Sequence, residues 1–302
     1  MSILTVGSVA YDDIITPFDS RERSLGGSAT YFGLAAQHFA SVNLVAVVGE
    51  DFNLADEELL ANKGVDLTGL EKVEGKTFYW KGEYMANWND RVTHDTQLNV
   101  FEHFKPKLPD NYRDCEYLFL GNIHPSLQGD VLRQMSTRPK ITALDTMNLW
   151  IQHTRTDLLE VIKQVDILLV NDSEAMMLSG QMQLVEAAKT IGRMGPSTVI
   201  IKQGEHGALL IQGERLFSVP AYPLCNVVDP TGAGDTFAGG FLGYLAKTGD
   251  HSFENMRRAL VYGSVMGSFT VESFSIDRCA AIGLEDIEKR YAAFVELTHF
   301  LA

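Results

Sequence analysis

The chain has 302 residues, with 25 Lys+Arg against 39 Asp+Glu and a formal net charge of −14. That balance, with no run of Lys or Arg, opposes attraction to nucleic acid or an anionic membrane. Cys115, Cys225 and Cys279 are odd in number and form no CxxC pair, which argues against a disulfide framework or thiolate metal site and leaves buried reduced thiols.

The opening MSILTVGSVAYDD has no basic n-region, and Thr5 and Gly7 interrupt its apolar run. It reads as a strand rather than a signal peptide, with the cytoplasm as the expected address. No run approaches the ~18 apolar residues that span a bilayer. Short apolar runs at Ile3–Val9, Val42–Val48, Tyr117–Leu120, Ile141–Leu144, Ile167–Val170 and Val199–Ile201 predict strands. Between them, Ala29–Phe39, Leu54–Asn62, Leu127–Met135, Leu158–Gln164 and Leu184–Met194 have helical length and amphipathic spacing. Strands without strict alternation, separated by helices, predict a mostly parallel sheet buried on both faces, hence a doubly wound α/β core. No repeat or Pro/Ser-rich linker divides the chain, so residues 1–302 read as one domain.

Thr77 to Phe104 breaks the rhythm. It has no helical period, and Asn89-Asp90 supplies turn chemistry between two extended stretches. Strict alternation puts Phe78, Trp80, Tyr84 and Trp88 on one face and Tyr79, Lys81, Glu83 and Asn87 on the other. This inserted hairpin, joined by part of residues 12–25, reads either as a lid over a ligand or as an extra layer or dimer contact.

The stretch Val228 to Gly240, VDPTGAGDTFAGG, opens the amphipathic run Phe237–Leu245. Gly232 and Gly234 remove Cβ atoms where the chain turns into a helix, exposing N–H groups at the positive end of the helix dipole. That is an anion site. Asp235 puts a carboxylate beside it, where a negative charge repels phosphate, so the residue reads as a base accepting a hydroxyl proton. Helix capping is the alternative role, but Asp229 or Thr231 can fill it. No GxxxxGK[ST] is present, and a dinucleotide fingerprint needs a third glycine where Phe237 stands.

With these residues the sequence resembles the ribokinase/PfkB family of carbohydrate kinases over nearly its whole length. DPTGAGDTFAGG is similar to the family's C-terminal signature, and LGGSATYFGLAA followed by VVGED to its N-terminal glycine signature. The resemblance implies a ribokinase-like fold with a β-lid, Asp235 as catalytic base, and Gly232, Ala233 and Gly234 as its anion hole. It further implies that Asp12 in GSVAYDD holds substrate hydroxyls and that Gly26 and Gly27 let backbone approach the sugar. NDSE matches an NxxE motif, placing Asn171 and Glu174 near the phosphates and Glu174 at Mg2+. GEHG matches a GxxG turn that contacts nucleotide through Gly204 and Gly207, with Thr231 beside the phosphates.

The sequence departs from the family where Tyr31 stands in place of an Asn that grips substrate hydroxyls, and where Pro230 replaces a frequent Thr. Asn171 to Glu174 also reads as a helix start capped by Ser173 or Asp172, and Asp12 as an ordinary loop carboxylate. In relatives a monovalent cation such as K+ binds near Asp229 and Thr231, lid edges pair between subunits, and the region after Asn255 walls the adenine pocket. Here Asn255–Phe269 reads as a helix and Val271–Cys279 as a loop, with Val265 and Phe269 equally at home in a core. His94, His103 and His124 form no metal motif, and Arg91 is either a phosphate or carboxylate clamp or a solvated turn residue.

The expected function is an ATP- and Mg2+-dependent kinase acting on a hydroxyl of a sugar or sugar-containing small molecule. A nucleoside kinase is the alternative within that chemistry, with the aromatic face and Tyr31 stacking on a base. A non-catalytic sugar- or nucleotide-binding regulator and a nicotinamide-dependent oxidoreductase are the readings from other classes.

Overall fold

In chain order, β1 (Ser2–Val6), β2 (Ala10–Ile15) and β3 (Ser20–Gly26) lead into α1 (Ser28–Ala36), β4 (Ser41–Gly49), α2 (Leu54–Asn62) and β5 (Val65–Val73). β6 (Phe78–Tyr84) and β7 (Arg91–Gln97) follow, then a 3-10 turn at Asn99–His103, β8 (Tyr117–Leu120) and α3 (Pro125–Gln134). Next come β9 (Ile141–Asp145), α4 (Asn148–His153), α5 (Arg155–Ile162), β10 (Ile167–Asn171), α6 (Asp172–Ser179) and α7 (Leu184–Gly192). The chain ends with β11 (Thr198–Lys202), β12 (Ala208–Gln212), β13 (Arg215–Val219), α8 (Ala233–Thr248), α9 (Phe253–Thr270), α10 (Asp277–Ala281) and α11 (Leu284–Thr298). This computed structural model describes residues 1–88 and 90–299, so Asn89 of the expected Asn89-Asp90 turn lies outside the described residues.

Nine strands form the main sheet in the order β13-β12-β11-β10-β9-β8-β1-β4-β5. β4, β5 and β8 to β11 run parallel with β1, β12 is antiparallel to β11, and β13, antiparallel to β12, returns to the common direction. Strand residues alternate between two buried layers: Ile3, Phe119, Leu169 and Ile200 pack on one face, and Leu4, Leu118, Leu168 and Ile201 on the other. This two-sided burial is why the strands read as continuous apolar runs. From β1 the chain crosses one way to β4 and β5 and the other way to β8 and beyond. The strand order therefore reverses between β1 and β8, where the carboxyl ends leave a crevice.

A second sheet, order β3-β2-β6-β7, stands over that crevice. β2 and β3 are antiparallel, β2 and β6 parallel, and β6 and β7 antiparallel with a register shift between Lys81 and Gly82. Residues 10–26 thus contribute two whole strands. Asn99 to Phe104 leave the sheet, and Val100 and Phe104 bury in the main core.

Other sequence expectations need correction. Strand β1 stops at Val6 rather than Val9, and the chain then passes at Gly7 so close to Ser28 Oγ that an added Cβ would lie 2.5 Å away. Helix α10 occupies the end of the expected Val271–Cys279 loop. Cys115 and Cys279 are buried, but Cys225 is exposed on an irregular stretch ahead of α8. Among the described residues no helix is long and apolar enough to cross a membrane.

Candidate active site

A cleft of about 1950 Å³ lies between the carboxyl ends of the main sheet and the second sheet, with Asp12, Tyr31, Asp145, Glu174, Lys202 and Asp235 in its walls. Its floor is the start of α8. Gly232 caps this helix in the left-handed conformation (φ 75°), and an added Cβ would fall 2.3 Å from the Tyr31 ring. No side chain caps α8, so neither Asp229 nor Thr231 takes that role. The amide of Ala233 donates to the Pro230 carbonyl at 3.2 Å, whereas those of Gly232 and Gly234 meet no acceptor among the described residues. The amides left open at the start of α8 are therefore those of Gly232 and Gly234, while that of Ala233 closes the loop. Asp235, in the first turn, meets the cleft on one side and protein on the others. Burial and the neighbouring Asp145 charge push its carboxyl up to about 7, against the pull of Lys202 and Arg91.

Asp12 projects from β2 into the same space and is buried. Gly26 faces it: a Cβ there would lie 2.0 Å from Asp12 Oδ2, so glycine leaves room for the carboxylate. Burial, then the charges of Asp229, Asp235 and Asp13, raises the Asp12 carboxyl to about 8. Gly27 caps α1 at φ 96°, and Tyr31 follows one turn later. The Tyr31 ring is buried beneath Gly232, and its hydroxyl has no hydrogen-bond partner among the described residues.

On the other side, Asn171 and Glu174 face each other at the start of α6. The Glu174 amide donates to Asn171 Oδ1 at 2.8 Å and the Asn171 amide to Glu174 Oε2 at 2.8 Å. This is a capping box. Asn171 itself is the cap, not Ser173 or Asp172. Burial, reinforced by Asp145, holds the Glu174 carboxyl near 7 despite Lys202. Lys202, at the end of β11, pairs with Asp145, at the end of β9, across 2.7 Å. Burial works against the ammonium, yet Asp145 and Glu174 keep its pKa above the ordinary lysine value. Gly204 lines the cleft, whereas Gly207 (φ 95°) turns the chain into β12 outside it.

Thr231 lines the cleft and donates its hydroxyl to Tyr84 Oη at 3.2 Å. Asp229 is fully buried behind it and accepts the amides of Thr231 (2.8 Å) and Ser275 (3.0 Å). The Ser275 hydroxyl donates to the Leu25 carbonyl of β3. A surface pair, Arg21 with Asp277, ties the same two regions.

Phe78, Trp80, Tyr84 and Trp88 all line the cleft from above, and Arg91 enters it beside them. Val265 and Phe269 are core residues of α9. Sequence reasoning did not single out Asp145 or Lys202. The available signal was a charged residue closing each of two apolar strands, where the chain leaves the sheet at its carboxyl edge.

A doubly wound sheet whose crevice joins an open helix N-terminus, a buried carboxylate and a half-buried lysine suits a phosphotransferase. Residues 3–281 match the pfkB family of carbohydrate kinases, and the chain belongs to that family; it is a kinase with an alcohol group as acceptor. It is 31% identical over 249 residues to a cytidine kinase of Thermococcus kodakarensis, covering 80% of this chain and 87% of that one. It is 24% identical over 289 residues to a nucleoside kinase of Methanocaldococcus jannaschii, covering 90% of each. The same fold occurs in the Burkholderia thailandensis nucleoside kinase solved with inosine (TM-score 0.77, 19% identity, 96% and 97% of the chains). It recurs in the Arabidopsis thaliana ribokinase solved with ribose and ATP (TM-score 0.75, 21% identity, 96% and 98%).

Proposed function

We propose that the protein transfers the γ-phosphoryl group of ATP to a ribose hydroxyl of a nucleoside. The observation that carries this reading is the wall formed by Phe78, Trp80, Tyr84 and Trp88, which faces the same cleft as Asp12 and Asp235. Four aromatic rings beside two carboxylates suit a ligand with a flat base at one end and hydroxyls at the other. The similarity to a cytidine kinase supports it.

In this reading Asp12 and the Gly26-Gly27 backbone orient the acceptor, with Tyr31 beneath it. Asp235 takes the hydroxyl proton as the new O–P bond forms and the bond to the ADP oxygen breaks. A carboxyl held near 7 is a better-matched base at neutral pH than an ordinary Asp. The open amides of Gly232 and Gly234 receive phosphoryl oxygens, and Lys202 and Arg91 offset their charge. Thr231, Asn171 and the Gly204 turn border the nucleotide. Glu174, a buried carboxylate in the cleft wall whose carboxyl burial and Asp145 push upward, fits Mg2+, which would supply further charge neutralisation when bound with the phosphates. The second sheet serves as the lid of a single-domain enzyme and excludes water during transfer.

The test is ADP release from Mg-ATP against a panel of nucleosides and free sugars, with Asp235→Asn in parallel. Nucleoside-dependent turnover lost in the variant supports the proposal. Turnover with free ribose alone rejects the nucleoside, and turnover unaffected by the substitution rejects the base.

A further inference from the structure

Beyond the carboxylates, the cleft continues over the ends of β8 and β9, where Asn122, His124 and Trp150 line it. Their hydrogen bonds fix which polar atoms remain free. The Trp150 indole Nε1–H, a donor only, points at Asn122 Oδ1 at 2.8 Å. This sets the amide orientation and leaves Nδ2 as the donating end, its one contact being the weak acceptor Met147 Sδ at 3.2 Å. The Ser126 backbone N–H donates to His124 Nδ1 at 3.2 Å, so the neutral ring carries its proton on Nε2. The imidazole stands edge to face with Trp150, centroids 5.1 Å apart. One contact group therefore offers two donors, Asn122 Nδ2–H and His124 Nε2–H, beside an indole, while its acceptors are already taken.

We propose that Asn122, His124 and Trp150 form a nucleobase-reading subsite selective for an edge with two adjacent acceptors; the inference rests on the nucleoside reading above. Cytosine presents such an edge in O2 and N3, and a 6-oxopurine in O6 and N7. Uracil places an N–H between its carbonyls, and adenine puts an amino group beside N1 and N7, so each sets a donor against a donor. A site built from oriented donors rejects such a base by leaving buried polar groups unpaired.

The experiment compares kcat/KM of the full chain with Mg-ATP for cytidine against uridine and for guanosine against adenosine, in wild type, Asn122→Asp and His124→Phe. Asn122→Asp preserves the bond from the indole but turns the free donor into an acceptor. At least one wild-type pair is expected to differ by tenfold or more in favour of the two-acceptor base. The preferred ratio should shrink roughly 10- to 100-fold in Asn122→Asp, with KM for ATP unchanged. His124→Phe keeps the ring contact, loses the second donor, and supplies an independent reading should Asn122→Asp melt early. Preference in the cytidine pair identifies the pyrimidine source, and in the guanosine pair the purine source. Equal use of both bases in each pair, or ratios untouched by either variant, overturns the subsite while leaving a nucleoside kinase. Phosphorylation of free sugars with no nucleoside overturns the underlying reading as well.

Discussion

Replacing Asp235 by Asn should remove activity and raise stability together. Burial and Asp145 move the Asp235 carboxyl from 3.8 to about 7. At about 1.36 kcal/mol per pH unit, a shift of that size corresponds to about 4 kcal/mol against ionisation in the folded chain. Asp235 meets water on its cleft side, which reduces the penalty to about 2 kcal/mol. Between pH ~4 and ~7 the folded chain holds a proton that the unfolded chain has released, so stability falls as pH rises through that window. Asn is free of this loss. The advantage of the variant should therefore grow with pH up to about 7 and stay constant above it. For 302 residues, at about 2.1 cal/mol/K per residue, about 2 kcal/mol corresponds to a Tm about 3 °C higher at pH 8. Calorimetry at pH 5 and pH 8, with steady-state kinetics, reads both effects; loss of the base should lower kcat by about three orders of magnitude. A variant no more stable than wild type at pH 8, or with the same gain at both pH values, refutes the burial argument. Retention of a tenth of the turnover refutes the catalytic role.

With saturating Mg-ATP, kcat/KM for the acceptor should rise with pH through about 7 as Asp235 loses its proton; a flat profile from about pH 5.5 to 8.5 contradicts this. Gly232→Ala forces a side chain into φ 75° and against the Tyr31 ring. It should cost about 1–2 kcal/mol in denaturant melts and about 100-fold or more in turnover, so near-normal turnover would exclude an anion site here. Lys202→Met strands the buried Asp145 and should destabilise by about 3 kcal/mol. Adding Asp145→Leu should restore the melt but not the activity, and a single variant as stable as wild type removes the argument. Arg91→Met should leave Tm within about 1 °C, as expected for an exposed residue, while kcat falls about tenfold; an unchanged kcat returns Arg91 to the solvated turn.

The central strands and the glycine turn into α8 were legible because each depends on local pattern. Two-sided burial writes continuous apolar runs, and GAGD states its chemistry over four residues. Strands β12 and β13 were legible in principle, since ALLIQ and RLFSV flank Gly213 (φ 60°). Strand β5, at the sheet edge, carries mixed polar residues and gives no comparable signal. What escaped depends on distant pairing. Lys202 and Asp145 look like ordinary strand ends until the parallel register of β9, β10 and β11 brings them within 2.7 Å. The Ala233 amide belongs to the anion site by the family resemblance alone, whereas here it follows the left-handed cap at Gly232 and donates back to Pro230. Cys225 read as buried from residue type alone, and nothing in its neighbours marks the irregular stretch that exposes it.

Ser275 closes a circuit between the two ends of the polypeptide. Its amide secures the Asp229 carboxylate behind the loop that opens α8, and its hydroxyl reaches a carbonyl 250 positions earlier, next to Gly26 and Gly27. Loops of that length form late in folding, after local helices and neighbouring strands have paired. Competence for phosphoryl transfer should thus be the last property the folding chain acquires. A chain whose final quarter has not docked would lack the fastening of the loop that opens α8.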